Sequence, residues 1–305
     1  MFEMFENFAK ENDAAYEKPM PASTGRGVFV VSVGGSIFFD NPPDTQLIGK
    51  LAAAVSALSR EGHKIVLVAG GGKTARNYVV AGEQFNATKF ELDKLGIAAT
   101  RINAQLIINA LENPCDEVLT RVEDAAKALD DNKVPVFGGL LPSFTTDAVA
   151  ALIAESLDAT FLNLTNVDGI YSSDPNKSKG AEFFDEISYE SLVEMIVGKG
   201  STPGQNLVLD LPCCLILQRS NLKGIVLDGN DLGNFERAVR GEQFRGTIVG
   251  ASSSQASHVE LPEKPRKRAT PKKPVKSSSK KKPVRRPNDS EFTPQDVYKI
   301  DFGRR

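Results

Sequence analysis

From Gly27 onward the chain alternates short apolar runs with longer amphipathic stretches. Residues 28–33 form a β-branched run closed by Gly34 and Gly35, the pattern of a strand buried on both faces. Residues 44–60 then place Leu47, Ile48, Leu51, Val55 and Leu58 on one helical stripe. A second buried strand, 65–68, ends in Gly70, Gly71 and Gly72. Further strands are predicted at 134–137, 160–164, 224–227 and 247–249. Helices are predicted at roughly 73–85, 91–112, 122–130, 146–157, 188–198, 206–220 and 231–240. Strands that alternate with helices predict an α/β fold with a mainly parallel sheet covered on both faces.

The flanks differ in kind. Residues 1–26 are polar, carry Pro19, Pro21 and Gly25, and read as a flexible extension. After Val249 large apolar residues almost vanish, while prolines, serines and clusters such as Arg266-Lys267-Arg268 and Lys280-Lys281-Lys282 accumulate. Such a segment buries too little surface to offset its ordering entropy, so 251–305 is expected to be a disordered basic tail. The net charge of −2 hides this split: residues 250–305 hold 15 Lys/Arg against 6 Asp/Glu, and the remainder 22 against 33. The expected organisation is therefore an extension, one domain over 27–250, and a tail.

Composition narrows the chemistry. The chain has 305 residues, 41% apolar and 25% charged, as expected of a soluble enzyme. No apolar run approaches the roughly 20 residues that span a bilayer. Three cysteines without zinc-ligand spacing and an acidic, non-signal-like start point to a reducing cytoplasm. The two histidines, His63 and His258, sit in no constellation, which argues against triad and histidine–metal chemistry. A protein-held metal would have to use carboxylates and substrate phosphates, the habit of Mg²⁺.

Candidate chemistry lies at the strand ends. In a parallel sheet, ligands sit beyond the carboxyl ends of strands, where backbone N–H groups and helix N-termini favour anions. Four such turns are glycine-rich or small and polar. They are Gly34-Gly35-Ser36, Gly70-Gly71-Gly72-Lys73-Thr74, Gly138-Gly139 leading to Thr145-Thr146-Asp147, and Thr165-Asn166-Val167-Asp168-Gly169. One glycine pair serves a tight turn as readily as a phosphate, but four at successive strand ends favour phosphate binding. Gly72-Lys73-Thr74 is no Walker A loop, because Leu67 stands where its first glycine is required. No G-x-G-x-x-G follows the first strand.

Taken in order, these loops resemble the amino-acid kinase superfamily, and within it the archaeal-type UMP kinases. The supporting stretches are Gly169-Ile170-Tyr171 with Asp174-Pro175, Thr100 to Gln105, and Gly246 to Val249. The resemblance covers about 27–249. It implies a three-layer αβα sandwich, ATP as phosphoryl donor with Mg²⁺, UMP as acceptor, and a homo-hexamer. It further implies that Gly34, Gly35 and Ser36 line the path of the transferring phosphoryl group, and that Gly72 and Arg76 meet the ATP phosphates. Thr165, Asn166, Tyr171 and Asp174 would hold the adenine nucleotide. Gly71 would contact UMP, Asp93 its sugar, and Leu140, Leu141, Pro142, Ser143, Phe144, Thr145 and Thr146 its base and phosphate.

Phosphoryl transfer to a phosphate needs positioning and charge neutralisation rather than a covalent nucleophile. Arg76 is the first candidate cation and Lys73 the second, with Asp147 orienting the donors. Each has a plainer role: Thr145, Thr146 and Asp147 as helix caps, Asp168-Gly169 as a hairpin turn, Arg76 and Asp93 as solvated helix charges. The chain departs from many superfamily members by lacking lysines at Ser32 and near Leu215, and its acceptor loop is more apolar than expected. Two alternatives stay open: a relative acting on a carboxylate, carbamate or isoprenoid phosphate, and a nucleotide-sensing protein that contacts nucleic acid through its tail.

Overall fold

The computed structural model describes residues 27–173, 180–198 and 208–250. The expected extension, the expected tail, Asp174 and the first two residues of the helix expected at 206–220 lie outside the described residues.

Nine strands occur there: β1 Val28–Val33, β2 Lys64–Ala69, β3 Val136–Phe137, β4 Thr160–Thr165, β5 Ile170–Tyr171, β6 Phe183–Phe184, β7 Glu186–Ile187, β8 Gly224–Asp228 and β9 Thr247–Val249. The helices are α1 Gly35–Phe38, α2 Thr45–Arg60, α3 Gly72–Glu83, α4 Lys89–Ala110, α5 Asp124–Asp130, α6 Thr146–Leu157, α7 Tyr189–Gly198, α8 Leu211–Arg219 and α9 Leu232–Arg240. Seven strands form one sheet in the order β3-β2-β1-β4-β8-β9-β7. All its pairings are parallel except β8 with β9. The expected mainly parallel α/β architecture is therefore present.

Alternate residues of the central strands feed two apolar layers. Val31, Val33, Leu67, Leu162 and Leu227 pack with α2 and α9 residues such as Leu51, Val55 and Phe235. Val30, Val66, Val68, Phe161 and Val226 pack with α6 and α8 residues such as Val149, Ile153 and Leu217. Burial on both faces explains the apolar runs of β1 and β2, which only Ser32 interrupts.

Helix ends differ from expectation by up to two residues, and three departures are larger. The strand expected at 134–137 shrinks to Val136–Phe137 because Pro135 has no N–H for a ladder, although its carbonyl still accepts from Leu67 at 2.9 Å. The helix expected over 206–220 begins only at Leu211. Asp210 caps it by accepting the Cys213 N–H at 2.9 Å, and Pro212 occupies its first turn. Strands β5, β6 and β7 are two residues each and have no counterpart in the periodicity. Among the described residues no helix is long and apolar enough to cross a membrane.

Candidate functional site

Adjacent parallel strands β2, β1 and β4 end on the same side of the sheet, so the turns after them converge. Gly34 donates its N–H to Leu164 O at 2.9 Å and Gly70 to Val33 O at 3.0 Å, which ties the three strand ends together. The first and second turns then meet backbone to backbone. A Cβ on Gly35 would lie 2.3 Å from Gly72 N, and one on Gly70 would lie 2.5 Å from Gly35 N. Gly72 itself has φ +59°, a conformation side chains rarely adopt. The glycines here answer to close approach.

Helix α4 holds the triple-glycine turn from behind. Asn103, almost fully buried, donates from Nδ2 to Gly70 O at 2.8 Å and to Gly71 O at 3.1 Å. One turn earlier, Thr100 Oγ accepts the Gly139 N–H at 2.7 Å, and Arg101 Nε reaches Gly139 O at 3.3 Å. These bonds occupy carbonyls on the α4 side. Sequence reasoning missed Asn103 as a site residue; the signal was an amide on the apolar stripe of Ala99, Ala104 and Ile107.

The third turn leads into α6. Thr145 caps it by accepting the Ala148 N–H at 3.1 Å and donates its hydroxyl to Asp210 Oδ2 at 2.6 Å, linking the starts of α6 and α8. Two residues on, Asp147 Oδ1 accepts the Ser32 hydroxyl at 2.6 Å. Asp147 keeps some exposed surface at the cavity wall, yet protein crowds its carboxylate. Burial pushes that carboxyl up to about 6; the Ser32 bond pulls it down and the charge of Asp210 adds to the rise.

These turns enclose a cavity of about 510 Å³. Its wall includes the expected donor-side residues Gly34, Gly35, Ser36, Gly72, Arg76, Asp147, Thr165, Asn166 and Tyr171. Arg76 is the one Lys or Arg among its described lining residues and Asp147 the one carboxylate. An apolar patch of Leu192, Met195, Ile196, Val208 and Leu209 completes it, a surface sequence reasoning did not identify. A second cavity of about 360 Å³ is lined by Asp93, Leu141, Ser143, Phe144 and Thr145 together with α4 residues. Gly71 and Thr146 line both cavities, so the two open onto a shared wall.

Not every expected residue joins this constellation. Lys73, Leu140 and Pro142 line neither cavity. Lys73 Nζ sits 3.2 Å from Asp40 Oδ1, and its hydrogen bond holds the Asp40 carboxyl below its usual range. Asp93 Oδ2 accepts the Ser143 N–H at 2.8 Å, where Ser143 has φ +69°, so this carboxylate pins the acceptor-side loop. Leu215 is 46% exposed on α8 and touches neither cavity wall.

The comparisons point the same way as the geometry. The uridylate kinase of Pyrococcus abyssi is 40% identical over 222 residues, covering 72% of this chain and 98% of that protein. That of Natronomonas pharaonis is 39% identical over 225 residues, covering 72% and 97%. The crystal structure of uridylate kinase from Archaeoglobus fulgidus superimposes with a TM-score of 0.65 at 36% identity, covering 72% of this chain and 99% of that one. Residues 27–228, which carry all four strand-end turns, match the amino acid kinase family. The chain belongs to the amino acid kinase family.

Proposed function

We propose that this protein is a cytoplasmic UMP kinase that transfers the γ-phosphoryl group of ATP to UMP, giving ADP and UDP. The observation that carries the proposal is the pair of cavities with Gly71 and Thr146 in common. Two anionic substrates seated in them would meet end to end. Relatives at 36–40% identity that carry the name uridylate kinase support UMP as the acceptor.

In the transfer, an oxygen of the UMP phosphate attacks the γ-phosphorus of ATP. The bond from that phosphorus to the β–γ bridging oxygen breaks, and its electron pair leaves with ADP. The UMP phosphate is already an anionic nucleophile at neutral pH, so no strong base is required. The chain's contribution is alignment and charge: the N–H groups of the two glycine turns and of the start of α3, other than those Gly34, Gly70 and Lys73 give to backbone carbonyls, would face the donor phosphates together with the Arg76 guanidinium. Tyr171, Asn166 and Thr165 flank the nucleotide. Asp93 sets the acceptor loop, and Leu141 and Phe144 offer an apolar face to the base.

The donor set fits Mg²⁺. Among the described residues no three His, Cys, Asp or Glu side chains group to form a cage, and the hard donors lining the cavity are oxygens, the Asp147 carboxylate and hydroxyls such as those of Ser36 and Thr165. That set suits an ion held mainly by phosphates and water. Asp147 would hold it, and the ion would neutralise charge on the transferring group.

A coupled assay of ADP release with UMP, CMP, AMP and small carboxylates tests the proposal. Turnover with UMP above the other acceptors is expected, and none above background with UMP would remove it. The resemblance also proposes a homo-hexamer. Exposed Tyr78, Phe85, Phe90 and Ile102 on and between α3 and α4 are apolar surface such an assembly could cover, and light scattering measures the mass. The basic tail would add weak, salt-sensitive contact with nucleic acid. A truncation after residue 250 should lose that binding and keep the kinase rate.

A further inference from the structure

The loop after β4 carries Asn166, Gly169 and Tyr171 into the wall of the larger cavity. It then enters a ribbon of only two residue pairs, Ile170 with Phe184 and Tyr171 with Phe183. A ribbon that short has little stability of its own, so its placement depends on outside support. Two side chains supply it, and both lie beyond residues 27–228, the stretch that matches the family. The first is Thr247, fully buried. Its hydroxyl accepts the Ile170 N–H at 2.7 Å and donates to Phe184 O at 2.6 Å, clipping both strands of the ribbon.

The second is Arg245, which lines neither cavity. Its Nε donates to Asp168 Oδ2 at 3.1 Å, and its guanidinium carbon lies 3.6 Å from the centre of the Phe183 ring. The other Asp168 oxygen accepts the Tyr171 hydroxyl at 2.7 Å, while the Tyr171 ring meets Phe183 edge-on with centroids 5.2 Å apart. Four side chains thus close on one another. Burial opposes the Asp168 charge, but the bonds from Tyr171 and Arg245 outweigh it and hold the carboxyl below its usual range. Arg245 is itself fixed at the backbone. Its N–H donates to Asn234 Oδ1 at 2.9 Å and its carbonyl accepts from Asn234 Nδ2 at 2.6 Å. Asn234 is buried on α9. A continuous path therefore runs from α9 through Arg245 and Asp168 to Tyr171.

We propose that Arg245 is a positioning residue for the phosphoryl donor: through Asp168 it fixes the Tyr171 ring and the 166–171 loop that flank the adenine nucleotide. The Arg245–Asp168 pair is 57% and 39% exposed, and an isolated pair at such exposure adds little to stability. Its effect is orientation. The planar guanidinium lies on Phe183 while aiming Nε at Asp168, and a lysine ammonium cannot do both.

The inference rests on the larger cavity being the ATP site, so ATP binding is measured without acceptor. Calorimetric Kd values for ATP are compared for the full chain, Arg245→Ala, Arg245→Lys, Asp168→Asn and the Arg245→Ala/Asp168→Asn double variant, alongside melting temperatures and the KM for UMP. Arg245→Ala should weaken ATP about tenfold and leave the KM for UMP within about twofold, with melting nearly unchanged. Arg245→Lys should recover only part. The double variant should be no worse than Arg245→Ala, because both changes cut one path. ATP binding as tight as wild type in Arg245→Ala would overturn the assignment, as would a parallel loss for ATP and UMP. A wild-type chain that binds ATP without turning over UMP removes the proposed reaction and leaves the Arg245 comparison standing; one that does not bind ATP removes both.

Discussion

The seam between the first two glycine turns allows a quantitative prediction. In Gly35→Ala the new Cβ would lie 2.3 Å from Gly72 N, 2.9 Å from Gly72 Cα and 3.0 Å from Gly71 N, whereas ordinary contact begins near 3.4 Å. All three neighbours are backbone atoms, so no rotamer relieves the clash, and the turns must separate by about 1 Å. A misplacement of that size at a reacting centre costs about 100-fold in rate. Overpacking should also cost about 1–3 kcal/mol of stability, or about 2–12 °C in melting temperature at 2–4 °C per kcal/mol. Turnover with ATP and UMP is measured at saturating substrate, with circular dichroism to confirm the fold. Gly70→Ala presses the same seam from the other side, 2.5 Å from Gly35 N, and should behave alike. Gly49→Ala, exposed on α2 with nothing within 4 Å of its Cβ, should keep full turnover and gain about 0.5–1 kcal/mol of stability. If Gly35→Ala and Gly70→Ala both kept turnover within about threefold, the seam would not be where phosphoryl transfer is aligned.

Three further outcomes follow from single side chains. Asp147 has a folded-state value raised from 3.8 to about 6, so its ionisation penalises the fold above both values by about 3 kcal/mol, and the penalty falls to about half near pH 5. Asp147→Asn in chelator should therefore melt higher than wild type at pH 8 and by a smaller margin at pH 5, while transfer is impaired; equal melting at both pH values would contradict this. Arg76→Ala should lower turnover about 100-fold with little change in melting, and near-normal turnover would remove Arg76 from the donor site. Asp93→Ala frees the Ser143 N–H and should raise the KM for UMP about tenfold while leaving that for ATP alone, with Asn, which keeps an acceptor oxygen, intermediate; unchanged UMP kinetics would show that the loop Asp93 pins does not hold UMP.

Much of this arrangement was legible before any coordinates, and the reasons differ by element. Strands β1, β2, β4 and β8 were readable because burial on both faces leaves short, mainly apolar runs, broken only by Ser32 in β1 and Asn163 in β4, and α2 because one face is wet. Strands β5, β6 and β7 were not, since two residues carry no period. The start of α8 was misjudged because Leu209 extends its apolar stripe, while Asp210 and Pro212 hold the stronger start signal. Within the site, glycines announced the turns, but contacts across the fold were invisible. Ser32 and Asp147 are 115 residues apart and meet only because β1 ends beside the start of α6. Asn103, Asp210 and Arg245 likewise act at a distance, as supports rather than as cavity-lining cations.

The missing lysines change what the site must receive. The Ser32 hydroxyl donates a hydrogen bond to Asp147 but brings no charge, and Leu215 lines neither cavity. The larger cavity is then left with one guanidinium, from Arg76, against one crowded carboxylate. Lys73, the nearest other cation in sequence, is engaged by Asp40. Backbone N–H groups and the start of α3 offer partial charges only, too little to offset a triphosphate and the acceptor phosphate in a partly enclosed space. Under the proposed reaction, the balance would arrive with the nucleotide, as a divalent cation on its phosphates. On this argument the Asp147 carboxylate, the one acid among the described residues lining the larger cavity, is where such a cation would be held.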